Sequence, residues 1–178
     1  DPRTGNIMAM AQRPTFNPND RSNMNSEAWR VRAIEDSFEP GSVMKPLVVA
    51  GALDMGLIAP NTMINCENGT WVYGGRSMRD THPAHLIPVS DVIKHSSNIG
   101  TAKIGLMLGK ENLNRILRSF GLGSRSGIPI KPETRGQFMK VKDWDGLSIT
   151  RFPIGYGVGV SPVQMLRAYC ALADGGNL

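Results

Sequence analysis

The 178-residue sequence has little cysteine and no long hydrophobic run. Its two cysteines, Cys66 and Cys170, lie far apart and form no C-x-x-C pair, so neither a zinc motif nor a redox motif is predicted. The longest apolar run, residues 47–53, is much shorter than the roughly 20 residues that a membrane-spanning helix needs. The sequence has no signal peptide and starts at Asp1, so we expect it to belong to a longer protein.

Charged residues are neither abundant nor clustered. The formal net charge is +5, from 20 Lys and Arg against 15 Asp and Glu. Basic residues lie near acidic ones, as where Arg30 and Arg32 precede Glu35 and Asp36. Nucleic-acid-binding surfaces usually cluster their basic residues, so no nucleic-acid partner is predicted. A composition of 40% apolar residues excludes a disordered chain, and the length fits one domain.

Hydrophobic periodicity, together with glycine and proline, predicts mostly helices. A short apolar segment over residues 7–11 predicts a strand, and a lone strand needs a partner to be stable. Residues 12–27 are polar and rich in asparagine and predict a loop, whereas a glycine pair predicts a hairpin over residues 70–79. The predicted helices cover residues 41–56, 88–95, 98–108, 113–120 and 161–174.

Ser42 and Lys45 open the first of the long helices, three residues apart. This spacing brings two helical side chains to one face, about 5–6 Å apart at Cβ. A hydroxyl beside an amine is a nucleophile beside a potential base, provided that burial lowers the pKa of the amine by about 3 units. The alternative is structural: Ser42 caps the helix, and Lys45 extends its ammonium group to water.

Ser96, Ser97 and Asn98 lie between two predicted helices. In this position Ser96 could relay a proton, and the Asn98 amide could hold a substrate amide. The alternative is that Ser97 only caps the helix that follows. Ser-x-x-Lys and Ser-x-Asn both occur by chance in a chain of this composition, so each is weak evidence alone.

Three segments in this order resemble the transpeptidase domain of class B penicillin-binding proteins: residues 39–46 (EPGSVMKP), 95–100 (HSSNIG) and 155–165 (GYGVGVSPVQM). Residues 1–10 (DPRTGNIMAM) are similar to the first strand of that domain. The resemblance covers the whole chain and implies an α+β fold, here mostly its helical part with the first strand of the sheet. The asparagine at position 98, at the end of the Ser-x-Asn motif, resembles the residue found in the cell-division and sporulation branch of the family.

The resemblance implies a serine D,D-transpeptidase that cross-links peptidoglycan stem peptides ending in D-Ala-D-Ala and is inhibited covalently by β-lactams. The implied catalytic residues are Ser42 as nucleophile, Lys45 as base, and Ser96 and Asn98 for proton relay and substrate positioning. The implied substrate-binding residues are Ser97, Gly155, Tyr156 and Gly157. No cofactor or metal is implied. The expected location is outside the cytoplasm, with an N-terminal membrane anchor on the longer protein and other cell-wall synthesis or division proteins as partners.

The sequence departs from the family in one respect, because no Lys-Thr-Gly or Lys-Ser-Gly follows Asn98. In the family that strand supplies one oxyanion donor, and losing one such donor typically lowers the rate about 10²- to 10³-fold. We therefore expect residues 1–178 to be a partial transpeptidase domain without the C-terminal sheet strands. The fragment alone is expected to be inactive.

Other potential site residues are given structural roles. His82 and His85 are expected in a loop without a third metal ligand, and His95 is expected at the C-terminal end of a helix. Two other functions stay open. One is a β-lactamase or D,D-carboxypeptidase of the same superfamily, and the other is a non-catalytic module that binds cell-wall or division partners.

Overall fold

The computed structural model describes residues 1–20, 22 and 26–177. Its α-helices are α1 (Ser26–Trp29), α2 (Arg32–Glu35), α3 (Lys45–Asp54), α4 (Val89–Lys94), α5 (Asn98–Ser119), α6 (Ser148–Arg151) and α7 (Pro162–Ala173). Its strands are β1 (Met63–Asn65), β2 (Thr70–Tyr73), β3 (Arg76–Arg79) and β4 (Leu86–Pro88). Short 3-10 segments cover Gly41–Met44, Glu67–Gly69, Val141–Asp143 and Phe152–Ile154. The α+β class predicted from the sequence is confirmed.

Helix α3 lies in the middle of the core and packs chiefly against α5. Most of its residues are apolar or small, so it can be buried on several sides at once. Gly51 permits the close approach, because a Cβ there would lie 2.5 Å from the Ile116 side chain. The core continues around these two helices through fully buried residues that include Met44, Leu47, Val48, Ile99, Ile104, Leu113 and Leu117.

Helix α5 is interrupted at Gly109, whose backbone has φ of 76° and ψ of 164°. The sequence predicts two helices there, over residues 98–108 and 113–120, and the interruption agrees with that division. The last predicted helix is also confirmed: Ser161 and Gln164 form a capping box, and Pro162 begins α7. Among the described residues no helix, α5 included, is long and apolar enough to cross a membrane.

Among the residues that the structure describes, four short strands form two antiparallel pairs, β1 with β4 and β2 with β3. The β2–β3 hairpin is the one predicted from the glycine pair, and Thr70 pairs with Arg79 at its open end. One face packs on the core through Trp71 and Met78, which are opposite each other. The residue after β3, Asp80, lies at the N-terminal end of α5, where it accepts a hydrogen bond from the Asn98 N–H.

The strand predicted over residues 7–11 is wrong, since no strand forms there. A β-strand needs a hydrogen-bonded neighbour, and within the described residues this segment pairs with none. Its side chains remain exposed, with Met8 at 79%. The loop predicted over residues 12–27 is correct for 12–20, but residues 21 and 23–25 lie outside the described residues and α1 begins at Ser26.

The packing of α5 on Phe152–Ile154 predicts that Gly105→Ala destabilises the protein. A Cβ at Gly105 would lie 2.4 Å from Cγ of Pro153 and 3.1 Å from the Ile149 carbonyl oxygen, neither of which moves freely. Overpacking costs about 1–3 kcal/mol, which outweighs the roughly 1 kcal/mol that alanine gains in helix propensity. The midpoint of denaturant unfolding should fall. Gly146→Ala is the control, because nothing lies within 4 Å of its Cβ position. Equal stability of Gly105→Ala and the wild type would contradict this packing.

Candidate active site

Ser42 lies in the 3-10 segment Gly41–Met44, which leads directly into α3. The sequence predicts an α-helix from residue 41, but the first turn has the tighter 3-10 geometry. That change preserves the shared face of Ser42 and Lys45, since side chains at i and i+3 eclipse in a 3-10 turn. The Gly41 N–H donates to the Gly155 carbonyl oxygen at 3.1 Å and ties this turn to a distant part of the chain. Ser42 itself is exposed.

Lys45 is almost completely buried, with 2% of its surface exposed. Its Nζ donates to three oxygens: the Ser96 carbonyl at 2.5 Å, the Ser96 Oγ at 3.0 Å and the Asn98 Oδ1 at 2.8 Å. Burial lowers the pKa of Lys45 to about 8, while the negative charge of Asp80 acts in the opposite direction. The structural alternative, in which the ammonium group extends to water, does not hold because the whole side chain is enclosed.

Ser96 occupies a backbone conformation that is unusual for serine. Its φ is +53°, in the left-handed region, where a residue with a Cβ is strained by roughly 1–2 kcal/mol. This conformation ends α4 and turns both the carbonyl and the hydroxyl of Ser96 towards Lys45 Nζ. Strain of this kind concentrates at functional sites.

Asp80 anchors the segment that carries Ser96 and Asn98. Its carboxylate accepts hydrogen bonds from the Ser97 hydroxyl at 2.6 Å, the Asn98 N–H at 2.6 Å and the Ile99 N–H at 3.0 Å. A carboxylate at a helix N-terminus satisfies free N–H groups and complements the helix dipole. The Asn98 side chain also donates to the Arg79 carbonyl oxygen at 2.8 Å. Asp80 therefore fixes where Asn98 points.

Ser97 does not reach the surface, because only 2% of it is exposed. Its hydroxyl donates to Asp80 and accepts from the Gly100 N–H at 2.9 Å, so it caps α5. The capping alternative considered for this residue is thus present in the structure. Ser97 is not among the residues that line the cleft described below, and its contact with substrate stays a prediction.

The predicted glycine-rich segment divides into different roles. Tyr156 is half-exposed and faces the same cleft as Ser42. Gly155 is buried beside the turn of Ser42, and its φ of +79° and close approach to Gly41 exclude any larger residue. Gly157 donates its N–H to Glu39 Oε1 at 2.8 Å, next to that turn. In this structure the two glycines therefore support the turn that carries Ser42, and Tyr156 is the one of the three that lines the cleft.

These elements surround a cleft of about 300 Å³. The residues that line it are Ser42, Thr81, His82, His95, Ser96, Asn98, Ile154 and Tyr156. Ser42, Ser96, Asn98 and Tyr156 were predicted from the sequence, and Lys45 lies directly beneath through its bonds to Ser96 and Asn98. The structure thus brings together all four residues that were expected to be catalytic.

Sequence reasoning missed Asp80 and assigned His82 and His95 to structural positions. The rings of these two histidines lie on the cleft wall, with centroids 6.4 Å apart, whereas His85 does not line the cleft. The available signal for His95 was its position beside Ser96. Nothing in the spacing indicated His82 or Asp80, because both reach the site through the pairing of β2 with β3.

The whole chain, residues 1–178, matches the family described as "Penicillin binding protein transpeptidase domain". It is 35% identical over 178 residues to the probable peptidoglycan D,D-transpeptidase PenA of Neisseria gonorrhoeae. It is 33% identical over 176 residues to the peptidoglycan D,D-transpeptidase FtsI of Escherichia coli (strain K12). These alignments cover 100% and 99% of the chain, but the chain spans only 30% of the length of each of these relatives.

Solved structures are similar over the same region. A crystal structure of a peptidoglycan glycosyltransferase from Burkholderia ambifaria matches with a TM-score of 0.87 and 34% identity, over 97% of this chain and 51% of that one. The apo structure of the TP domain of penicillin-binding protein 3 from Burkholderia pseudomallei matches with a TM-score of 0.78 and 35% identity, over 81% and 44%. The resemblance found in the motifs is confirmed: the chain belongs to the penicillin-binding protein transpeptidase domain family.

Proposed function

We propose that this chain carries the acylation site of a serine D,D-transpeptidase that cross-links peptidoglycan stem peptides. The proposal concerns the full-length protein, because the chain spans 30% of its curated relatives. The observation that carries it is the enclosed Lys45, hydrogen-bonded to Ser96 and Asn98 below a cleft lined by Ser42. Two relatives named as peptidoglycan D,D-transpeptidases support the same chemistry.

Acylation begins when the neutral form of Lys45 accepts the proton of Ser42. With a pKa of about 8, roughly one tenth of the Lys45 side chains are neutral at pH 7, against about one in three thousand for an unperturbed lysine. The Ser42 oxygen attacks the carbonyl carbon between the two D-Ala residues. The peptide C–N bond breaks, D-Ala leaves with the proton relayed through Ser96, and an ester to Ser42 remains. The Ser42 N–H lies in the first turn, where N–H groups lack a helical partner and suit the developing oxyanion.

The ester is resolved by an amine of a second stem peptide. This amine attacks the ester carbonyl and gives up its proton as Ser42 regains one, so the new amide replaces the one that was broken. In a β-lactam the broken amide nitrogen stays attached to the acyl group and cannot leave, so the ester on Ser42 persists. Asn98 and Tyr156, which line the cleft, are positioned to hold the substrate amide and the face of the peptide.

Location and partners follow from the substrate. Peptidoglycan lies outside the cytoplasmic membrane, so the site acts on that side, and an N-terminal membrane anchor on the full-length protein would keep it near its substrate. Asn98 favours the cell-division and sporulation branch of the family. Proteins of cell-wall synthesis or division are the partners that fit this role.

Replacing the nucleophile tests the proposal directly. The full-length wild-type protein should form a covalent adduct with fluorescent penicillin, and Ser42→Ala should form none, because the ester has no oxygen to bond to. Gel fluorescence and the mass of the intact protein measure the adduct. Ser77→Ala is the control, since Ser77 is an exposed serine on β3 and does not line the cleft.

Three results would contradict this function. An adduct that still forms on Ser42→Ala would remove the assigned nucleophile. Rapid loss of the label with hydrolysed penicillin accumulating would favour a β-lactamase instead, and a wild-type protein that never labels would favour a non-catalytic module.

The pH dependence of acylation should report Lys45. The active form is the neutral amine, so the second-order rate constant should rise about tenfold per pH unit below its pKa of about 8 and level off above it. Stopped-flow measurements with a chromogenic cephalosporin between about pH 6 and about pH 10, which span about 2 units on each side of that pKa, would give the profile. If the rise in the rate constant were centred near pH 6, it would instead indicate an imidazole base and contradict the role of Lys45.

Asp80→Asn should shift the rise of the pH–rate profile to lower pH. The charge of Asp80 raises the pKa of Lys45, so its removal lets burial lower that pKa further below about 8. The variant also weakens the cap of α5 and should lose about 1 kcal/mol of stability. Asp54→Asn is the matched control, because it removes the same charge from the exposed C-terminal end of α3. If the rise of the profile in Asp80→Asn stayed at the same pH or moved to higher pH, it would contradict the electrostatic coupling between Asp80 and Lys45.

A further inference from the structure

The turn that carries Ser42 is contacted by α7 through one hydrogen bond. The Tyr169 hydroxyl donates to the Val43 carbonyl oxygen at 2.9 Å, between residues that are 126 positions apart. Val43 follows Ser42 directly. We infer that Tyr169 is a positioning residue for the nucleophile, which it holds through the peptide group of Val43. This inference rests on the proposed function.

The Val43 carbonyl has no 3-10 hydrogen-bond partner in its own turn. In 3-10 geometry a carbonyl accepts from the N–H three residues later, which for Val43 is Pro46. Proline has no N–H, so this partner does not exist. The chain changes from 3-10 to α-helix here, at Lys45. The hydroxyl from α7 therefore gives a hydrogen bond to a carbonyl whose 3-10 partner is missing.

The side chain of Val43 does not hold the turn in place, because 44% of it is exposed. Backbone contacts do so instead. On one side of Ser42, the Gly41 N–H donates to Gly155, and on the other side the Val43 carbonyl accepts from Tyr169. Together the two contacts hold the Pro40–Gly41 and Val43–Met44 peptide groups, which lie at the two ends of the short segment that contains the serine. Small displacements of a nucleophile lower the rate of attack far more than they weaken substrate binding.

Helix α7 is a rigid support for this contact. Its N-terminus has the Ser161–Gln164 capping box, and the Gln164 amide also donates to the Ser124 carbonyl at 2.6 Å and the Arg135 carbonyl at 2.9 Å. Tyr169 is half-buried against the core, and burial raises the pKa of its hydroxyl. The hydroxyl therefore keeps the proton that it donates throughout the neutral pH range.

Tyr169→Phe isolates the hydrogen bond, since phenylalanine keeps the ring and its packing. In the full-length protein, the first-order acylation rate constant with a chromogenic cephalosporin should fall about three- to tenfold, the usual worth of one hydrogen bond. The dissociation constant of the preceding complex should change less than about twofold, because the bond acts on the nucleophile and not on the ligand. Tyr73→Phe is the control: Tyr73 also packs against the core, on the hairpin, and does not line the cleft.

The split between rate and affinity decides the inference. A merely structural role would lower the melting temperature and the labelled fraction while each labelled site kept the wild-type rate constant, and that result would overturn it. An unchanged rate constant, or an equal loss in Tyr73→Phe, would do the same. Tyr169→Leu should match the rate of Tyr169→Phe or fall below it. A wild-type protein that is never acylated overturns the proposed function as well, whereas acylated wild type with an unaffected Tyr169→Phe overturns only the role of Tyr169.

Discussion

The site depends on one buried cation. Moving the ammonium of Lys45 out of water costs several kcal/mol, and the cost is tolerable only where its donors find acceptors. Lys45 has three donors and three oxygen acceptors, all of which belong to Ser96 and Asn98. The same burial that makes the charge expensive brings its pKa to about 8. One arrangement therefore determines both the cost of burying the Lys45 charge and the pKa of its amine.

That arrangement makes the link between α4 and α5 a part of the site. The three acceptors stand at the end of α4 and the start of α5, where the backbone of Ser96 is left-handed. Asp80 accepts a hydrogen bond from the Asn98 N–H of this link, and Asp80 directly follows β3 of the β2–β3 hairpin. Gly74, at the tip of the hairpin, approaches Leu147 so closely that a Cβ would lie 2.8 Å away. The hairpin therefore contacts Leu147 at its tip, and the residue after its second strand, Asp80, bonds to the Asn98 N–H.

Local signals in the sequence predicted the elements that depend on local interactions. The capping box of α7, the glycine pair of the hairpin and the break at Gly109 all act within a few residues, so their patterns can be read directly. The strand predicted over residues 7–11 failed for the opposite reason. A strand is defined by its neighbour, and the apolar residues of this segment say nothing about where that neighbour lies.

The same distinction explains the site. Ser42 and Lys45 share a turn, and Ser96 and Asn98 share another, so spacing suggested each pair, and the resemblance of the surrounding segments to the transpeptidase family selected both. Asp80 could not, because its role comes from strand pairing that brings it to α5 from outside both motifs. Burial of Lys45 was predictable only as a requirement of the chemistry. The apolar residues around it in sequence are compatible both with an enclosed amine and with one that reaches water.

The segment over residues 155–165, which resembles the family, does not place all of its residues at the cleft. Of its first three residues, only Tyr156 lines the cleft. Position 155 requires glycine because a Cβ there would lie 2.2 Å from the Gly41 carbonyl oxygen and because its φ is positive. Gly157 also has a positive φ and bonds to Glu39. These glycines therefore support the turn that carries Ser42. Two segments more than a hundred residues apart form one structural unit, so a change in either one reaches Ser42 through the backbone.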